Sequence, residues 1–319
     1  MPPVVGKSPS GQGPLFHFSS SHFSFFILHF SFHLSAIRLL AIDIDGTLLD
    51  RAGRVPAENR RAIAAALDRG VQVALVTGRG FTFARPVAEQ LDLPVVLVVS
   101  NGALVRRLDG TTILRRLMPL ATARYVLAQT AGYRAEAAVV FDRSGAGQLV
   151  SGGLDWSHPS RAGYYGRYGA LISEVLPLED CLLEDPIEVM FTGGIARMRD
   201  LVGLLEHGPD AASYAVSFVE YAWRDFVLVD VLGAGVTKGT TLAEWARAMD
   251  LPRTAIMAVG DNHNDREMLE FAGTGVVMGN SVPELLDGGF AVTGTNDEAG
   301  LAQAIDRFVL GDRAGDRRD

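Results

Sequence analysis

Lysine is almost missing from this chain. Of its 29 basic residues only Lys7 and Lys238 are lysine, and all the others are arginine. A chain that uses arginine nearly everywhere has kept one compact ammonium in its folded part, at a position that wants a point charge and not a planar fork. Cysteine is as scarce. Cys181 stands alone, so no internal disulfide can form and a reducing, cytoplasmic setting is the simplest reading. A surplus of positive charge is missing too: the formal net charge is -8 and the pI about 5.4, which argues against a nucleic-acid footprint and leaves small polar substrates as the partner class. Also missing is an uninterrupted apolar run of membrane-spanning length. Residues 15–34 approach the ~20 residues a bilayer needs, but serine and histidine break the run throughout and Lys7 is a poor positive flank. No membrane span or secretory signal is therefore expected. The histidines there (His17, His22, His29 and His33) have no fixed ligand spacing. Residues 1–35 read instead as a Phe/Ser/His-rich leader, disordered or the product of a start codon set too far upstream, and the charged tail 311–319 reads as frayed.

What is present is a packable chain: 319 residues at 48% hydrophobic content allow one large or two ordinary domains. Its organising stretch is LLAIDIDGTLLD at 39–50. Four apolar residues with no polar face suit a strand buried in the middle of a parallel sheet, and they run straight into Asp43, Asp45, Gly46 and Thr47. Apolar runs at 71–76 and 95–99 end likewise in small polar residues, Thr77-Gly78-Arg79 and Ser100-Asn101-Gly102, with helical patterns at 57–69 and 83–91 between them. This alternation predicts a doubly wound, Rossmann-like parallel α/β sheet. LVRRLDGTTILRR at 104–116 predicts a hairpin turning at Asp109-Gly110.

From about residue 118 the rhythm changes. Helical patterns at 120–131 and 196–206 and strand patterns at 137–142, 188–192, 214–219 and 226–231 predict an α+β domain inserted over 118–232, with the first domain made of 36–117 and 233–310. The first domain resumes with a helix at 240–249, a strand at 255–259 ending in Gly260-Asp261, a helix through Met268, a strand at 275–278 and a helix at 298–309. In a parallel sheet the strand ends share one edge, so Asp43, Asp45, Thr77, Gly78, Lys238, Asp261, Asn264 and Asp265 converge. Clustered carboxylates repel, and a hard divalent cation held by oxygens relieves them; Mg²⁺ suits a site that keeps waters and takes one ligand from a phosphate. Metal, lysine and backbone amides around an aspartate describe phosphoryl transfer.

DIDGT at 43–47, Thr77, Lys238 and GDNHND at 260–265 resemble, in order, the four motifs of the haloacid dehalogenase superfamily. SNGA at 100–103, MGNS at 278–281, VTGTNDEAG at 292–300 and the position of the insert resemble the Cof-type phosphatases with a type IIB cap. The resemblance implies a two-step hydrolysis of a small phosphorylated metabolite. In it Asp43 attacks phosphorus, Asp45 serves as acid and then base, and Lys238 offsets charge. Mg²⁺ would be held by Asp43, the Asp45 carbonyl and Asp261, with Asp265 acting indirectly, and Thr77, Gly78 and Asn264 would bind phosphate. A phosphomannomutase-type phosphomutase and a non-catalytic metabolite-binding protein on the same fold are the alternatives, and the sequence sets no oligomeric state.

Several residues carry two readings. Thr77 either caps a helix, binds phosphate or does both. Asp265 is either structural or functional, and Arg79 and Asn101 either touch substrate or order their loops. His263 is expected to face solvent. DWSHPSRAGYYGRYG at 155–169 offers Trp156, His158 and Arg161, with Tyr164, Tyr165 and Arg167, either as a substrate surface or as plain exposed loop and helix. GAGVTKGT at 233–240 lacks the glycine directly before lysine that a P-loop needs, and DIDGT lacks the GxGxxG of a dinucleotide site.

Overall fold

The computed structural model describes residues 37–311 apart from His158. The leader 1–35, the tail 312–319 and the substrate candidate His158 lie outside the described residues. Among the described residues no helix is long and apolar enough to cross a membrane.

The chain lays down β1 (Leu39–Ile42), α1 (Ala57–Asp68), β2 (Gln72–Val76), α2 (Phe81–Leu91), β3 (Val96–Val99), β4 (Leu104–Arg107) and β5 (Thr112–Arg115). The inserted segment follows with α3 (Leu120–Gln129), β6 (Ala137–Val140), β7 (Leu149–Ser151), α4 (Pro159–Tyr168), β8 (Ile172–Glu174), β9 (Glu188–Gly193), α5 (Ile195–Glu206), β10 (Tyr214–Tyr221) and β11 (Phe226–Gly233). The first domain then resumes with α6 (Lys238–Ala248), β12 (Ile256–Gly260), α7 (Arg266–Phe271), β13 (Thr274–Val277), α8 (Pro283–Leu286), β14 (Ala291–Val292) and α9 (Gly300–Ile305).

Two sheets result. The first has eight strands in the order β14-β13-β12-β1-β2-β3-β4-β5. It is parallel from β14 to β3, and the β4–β5 hairpin adds an antiparallel edge. Strand alternation explains why β1 is apolar at every position. Leu40 and Ile42 pack on one face with residues of α1, α2 and α9, and Leu39 and Ala41 pack on the other with residues of α6, α7 and α8. The expected doubly wound sheet is thus present, and helices change faces between β1 and β12. The switch-point crevice in which open α/β sheets bind ligands lies at the carboxyl ends of these two strands. Ile42 pairs with Val259, so Asp43 and Asp261 leave the sheet side by side.

The second sheet has six strands in the order β10-β11-β9-β6-β7-β8. Val189, Phe191, Val227, Val229 and Val231 point into an apolar layer with α3 and α5. The alternate positions Glu188, Met190, Thr192, Phe226, Leu228 and Asp230 line a cavity over the first sheet. The α+β insert matches the expectation, and α4 falls in the stretch read as a substrate surface or as exposed loop and helix, but β7, β8 and β14 were not expected. Each of these strands is only two or three residues long, below the length at which alternation can be read.

Candidate active site

Asp43 follows directly on β1, where its N–H donates to the Val259 carbonyl at 3.0 Å. The chain then turns sharply through Gly46, whose φ of +83° is costly for any residue with a Cβ. A Cβ there would also lie 2.3 Å from Asp261 Oδ2, so the glycine lets the acid after β12 close onto the turn after β1. Thr47 fixes that approach by donating to Asp261 Oδ1 at 3.1 Å.

Lys238 arrives from the opposite side as the first residue of α6. Thr237 caps this helix by accepting from the Thr240 N–H, and Thr240 returns the bond by accepting from the Thr237 N–H. Gly102, at φ +102°, packs against the same helix start; a Cβ there would meet the Thr237 carbonyl at 2.5 Å. The Lys238 ammonium, 1% exposed, donates to Asp43 Oδ1 and to Asp265 Oδ1, each at 2.7 Å. Asp265 is fully buried, and its other oxygen accepts from the N–H groups of Asp261 and Asn262 at 3.0 Å. With both oxygens engaged it positions its neighbours.

Asp43, Asp261 and Asp265 each offer an oxygen within 4.8 Å of the others. Burial, and then the charge on Asp265, push the Asp43 carboxyl up to about 8 against the pull of Lys238. Burial, and then Asp43 and Asp265, push Asp261 well above the usual carboxylate range. Burial opposes the charged form of Lys238, but Asp265 and Asp43 outweigh it and hold the ammonium above its ordinary pKa. Three carboxylates against one ammonium leave an excess of buried negative charge. The oxygen-only donor set suits a hard divalent cation, with Asp43 and Asp261 each engaging only one oxygen in the bonds above.

Asp45 lies apart from this cluster and accepts two bonds from Arg79, Nε to Oδ2 at 2.7 Å and Nη2 to Oδ1 at 2.6 Å. Of the two readings for Arg79, its contact is with this acid. Thr77 is buried at the end of β2, and its Oγ1 accepts from the Arg79 N–H at 3.1 Å. Asn101, fully buried, donates to Asp230 Oδ2 at 2.8 Å and accepts from Asn264 Nδ2 at 3.0 Å, so its contacts tie the loop after β3 to β11 and to the loop after β12. His263 is half-buried instead of facing solvent freely. Its ring packs 4.7 Å from the Phe218 ring of β10, and burial lowers its pKa. The nearby Asn262 side chain likewise meets the Glu220 backbone.

A cavity of about 500 Å³ opens beside these groups and is lined by Asp43, Asp45, Thr77, Gly78 and Asn264 below. Trp156 and Arg161 line it from the insert. Arg161 is held there by Thr192, to whose Oγ1 it donates at 2.8 Å. Sequence reasoning missed two acids on this wall, Glu188 and Asp230. Their signal was a charge at an alternate position inside an otherwise apolar strand.

Residues 40–305 match a family model described as haloacid dehalogenase-like hydrolase. The chain belongs to this family. Haloacid dehalogenase-like relatives include the pyridoxal phosphate phosphatase YbhA of Escherichia coli, 27% identical over 84% of this chain and 97% of its own length. Another is the 5-amino-6-(5-phospho-D-ribitylamino)uracil phosphatase YwtE of Bacillus subtilis, 26% identical over 87% of this chain and 100% of its own length. Among solved structures, a haloacid dehalogenase-like hydrolase from B. subtilis superposes with a TM-score of 0.71 at 24% identity, covering 86% of this chain and all of the other. A sugar phosphatase of haloacid dehalogenase subclass IIB does so with a TM-score of 0.68 at 21% identity, covering 85% and 98%. The fold is therefore the haloacid dehalogenase core with an inserted cap, and the chain is a hydrolase whose curated relatives include named phosphatases.

Proposed function

We propose that this chain is a Mg²⁺-dependent phosphatase that hydrolyses a small phosphorylated metabolite, a sugar phosphate or a nucleotide or cofactor phosphate, through an aspartyl phosphate on Asp43. The observation that carries the reading is the meeting of Asp43, Asp261 and Asp265 around Lys238 at the switch point of the sheet. The relatives named for phosphorylated pyridoxal and ribitylaminouracil support the substrate class.

In the first step an Asp43 oxygen attacks phosphorus, the bond from phosphorus to the substrate alcohol breaks, and Asp45 gives its proton to the departing oxygen. In the second, Asp45 takes a proton from water, the water oxygen attacks phosphorus, and the bond to Asp43 breaks, releasing inorganic phosphate. Thr77, the Gly78 N–H and Asn264 take the phosphate oxygens, and Lys238 orients Asp43 and favours its ionised form against the burial that opposes it. The carboxylates of Asp43 and Asp261 with the Asp45 carbonyl would hold Mg²⁺, which supplies charge neutralisation for the phosphoryl group.

Residues 36–117 and 233–310 act in this reading as the catalytic core, and 118–232 as a cap that excludes water and chooses the substrate. A cytoplasmic setting fits the single buried thiol of Cys181. Turnover of an aryl phosphate by the purified protein tests the reaction: it should require Mg²⁺, stop with EDTA and be lost in Asp43→Ala. Undiminished turnover in that variant would overturn the mechanism.

A further inference from the structure

The cap wall of the cavity holds two acids that these steps do not use. Glu188 opens β9 and Asp230 lies in β11; the register pairs Glu188 with Leu232 and Met190 with Asp230, so the two acids are diagonal neighbours on the cavity face. Each is 4% exposed. Asp230 Oδ2 accepts the bond from Asn101, but among the described residues Asp230 Oδ1 and Glu188 Oε2 have no hydrogen-bond partner. Of the cations around the cavity, Arg79 pairs with Asp45, Arg106 with Asp142, Arg143 with Glu184 and Lys238 with Asp43 and Asp265, Arg161 is bonded to Thr192, and Arg224 lies over the rings of Tyr221 and Phe226.

Burying a carboxylate without a counterion costs several kcal/mol. Positions that served only to fill the sheet would be apolar, as their neighbours Val189, Val229 and Val231 are. Burial, and for Glu188 then the charge of Asp230, raises both carboxyls, Asp230 to about 7. The pair thus meets ligand with an unanswered demand for positive charge. Trp156, on the same wall, adds an indole N–H that also lacks a partner.

We propose that Glu188 and Asp230 are specificity-determining residues that read a protonated nitrogen on the alcohol portion of the substrate. The proposal rests on the phosphatase reading for the other end of that molecule. Asp230 is joined to the phosphate end through Asn101 and Asn264, by bonds of 2.8 and 3.0 Å, so anion and cation sites are set at a fixed span. The substrate class is a zwitterionic phosphate monoester, such as an amino-sugar or amino-alcohol phosphate.

The test compares alkyl phosphates of about two to six carbons with their ω-amino and ω-hydroxy counterparts, because a matched series probes span and charge separately. At the bridging length the amine should raise kcat/KM at least ~10-fold over both partners of equal length. That ratio should fall to near one in Glu188→Gln and in Asp230→Asn. Equal rates for amine and hydroxyl at every length, or a ratio unchanged in both variants, would overturn the proposal. If no phosphate ester is turned over, the phosphatase reading fails by itself. The calorimetric Kd values of the same compounds then decide: a ~10-fold preference for the amine that Glu188→Gln removes supports the acid pair, and equal or undetectable affinities overturn it.

Discussion

Two groups of buried acids reach one cavity, through Asp43 from the core and through Glu188 and Asp230 from the cap, and they meet the same difficulty in different ways. In the core, Asp43 and Asp265 share the ammonium of Lys238, and Asp261 is braced by Thr47. In the cap, Asp230 accepts from the neutral amide of Asn101, and among the described residues Asp230 Oδ1 and Glu188 Oε2 have no donor. The core cluster carries a counterion of its own and has room for a second, whereas the cap pair carries none. Chemistry that must be ready before substrate arrives is given a built-in cation, and recognition is left for the ligand to complete.

Removing the built-in cation should have the largest effect. Lys238→Met leaves Asp43 and Asp265 buried without a counterion and should cost about 3–5 kcal/mol of stability, with loss of turnover, as chemical denaturation and the aryl phosphate assay would measure. An unchanged denaturation midpoint would mean that the core cluster does not need its lysine, and the contrast with the cap would fail.

Metal comes next. Mg²⁺ at about 100 times its Kd should stabilise the protein by about 2.7 kcal/mol, seen as a rise in Tm. Asp261→Asn should remove most of that rise, and Asp230→Asn should leave it in place. Equal loss in both variants would show that the ion does not distinguish the two clusters.

Smaller again is Gly46→Ala. The φ of +83° and the 2.3 Å approach to Asp261 together predict a loss of roughly 1–3 kcal/mol, with a weakened response to Mg²⁺ because Asp261 must move. A loss of stability with an intact Mg²⁺ response would confine the role of Gly46 to backbone conformation.

The core was legible in the sequence for a physical reason. Ile42 and Val259 are buried on both sides, so their strands are apolar at every position, and the acids after them stand out against that background. Lys238 stood out because lysine is otherwise so scarce. The cap was legible only in outline. Glu188 and Asp230 were passed over because a charged residue in a strand reads as an interruption, and only the register puts both on one face. The pairing of Arg79 with Asp45, across 34 positions, has no local signal at all. The packing of His263 on Phe218 depends on where the cap closes over the core, which no spacing within either segment encodes.

The cap pair supplies the smallest effect and the one of opposite sign. Asp230 has its folded-state pKa raised to about 7 by burial, while an unfolded aspartate titrates near its ordinary value of 3.8. Between those values the folded state holds more protons than the unfolded state, so this group's contribution to stability falls as pH rises through the window. Below it both states are protonated and the difference vanishes. Asp230→Asn keeps an oxygen to accept the Asn101 bond and removes the charge. It should therefore stabilise the ligand-free protein at pH 8 by about 1–2 kcal/mol, or roughly 2–4 °C in Tm, and change little near pH 4. Lys238→Met moves stability the other way, since it strips a cation from acids that already have one. Destabilisation by Asp230→Asn at pH 8 would mean that the cap pair already holds a counter-charge in the absence of ligand, and the two clusters would then be alike.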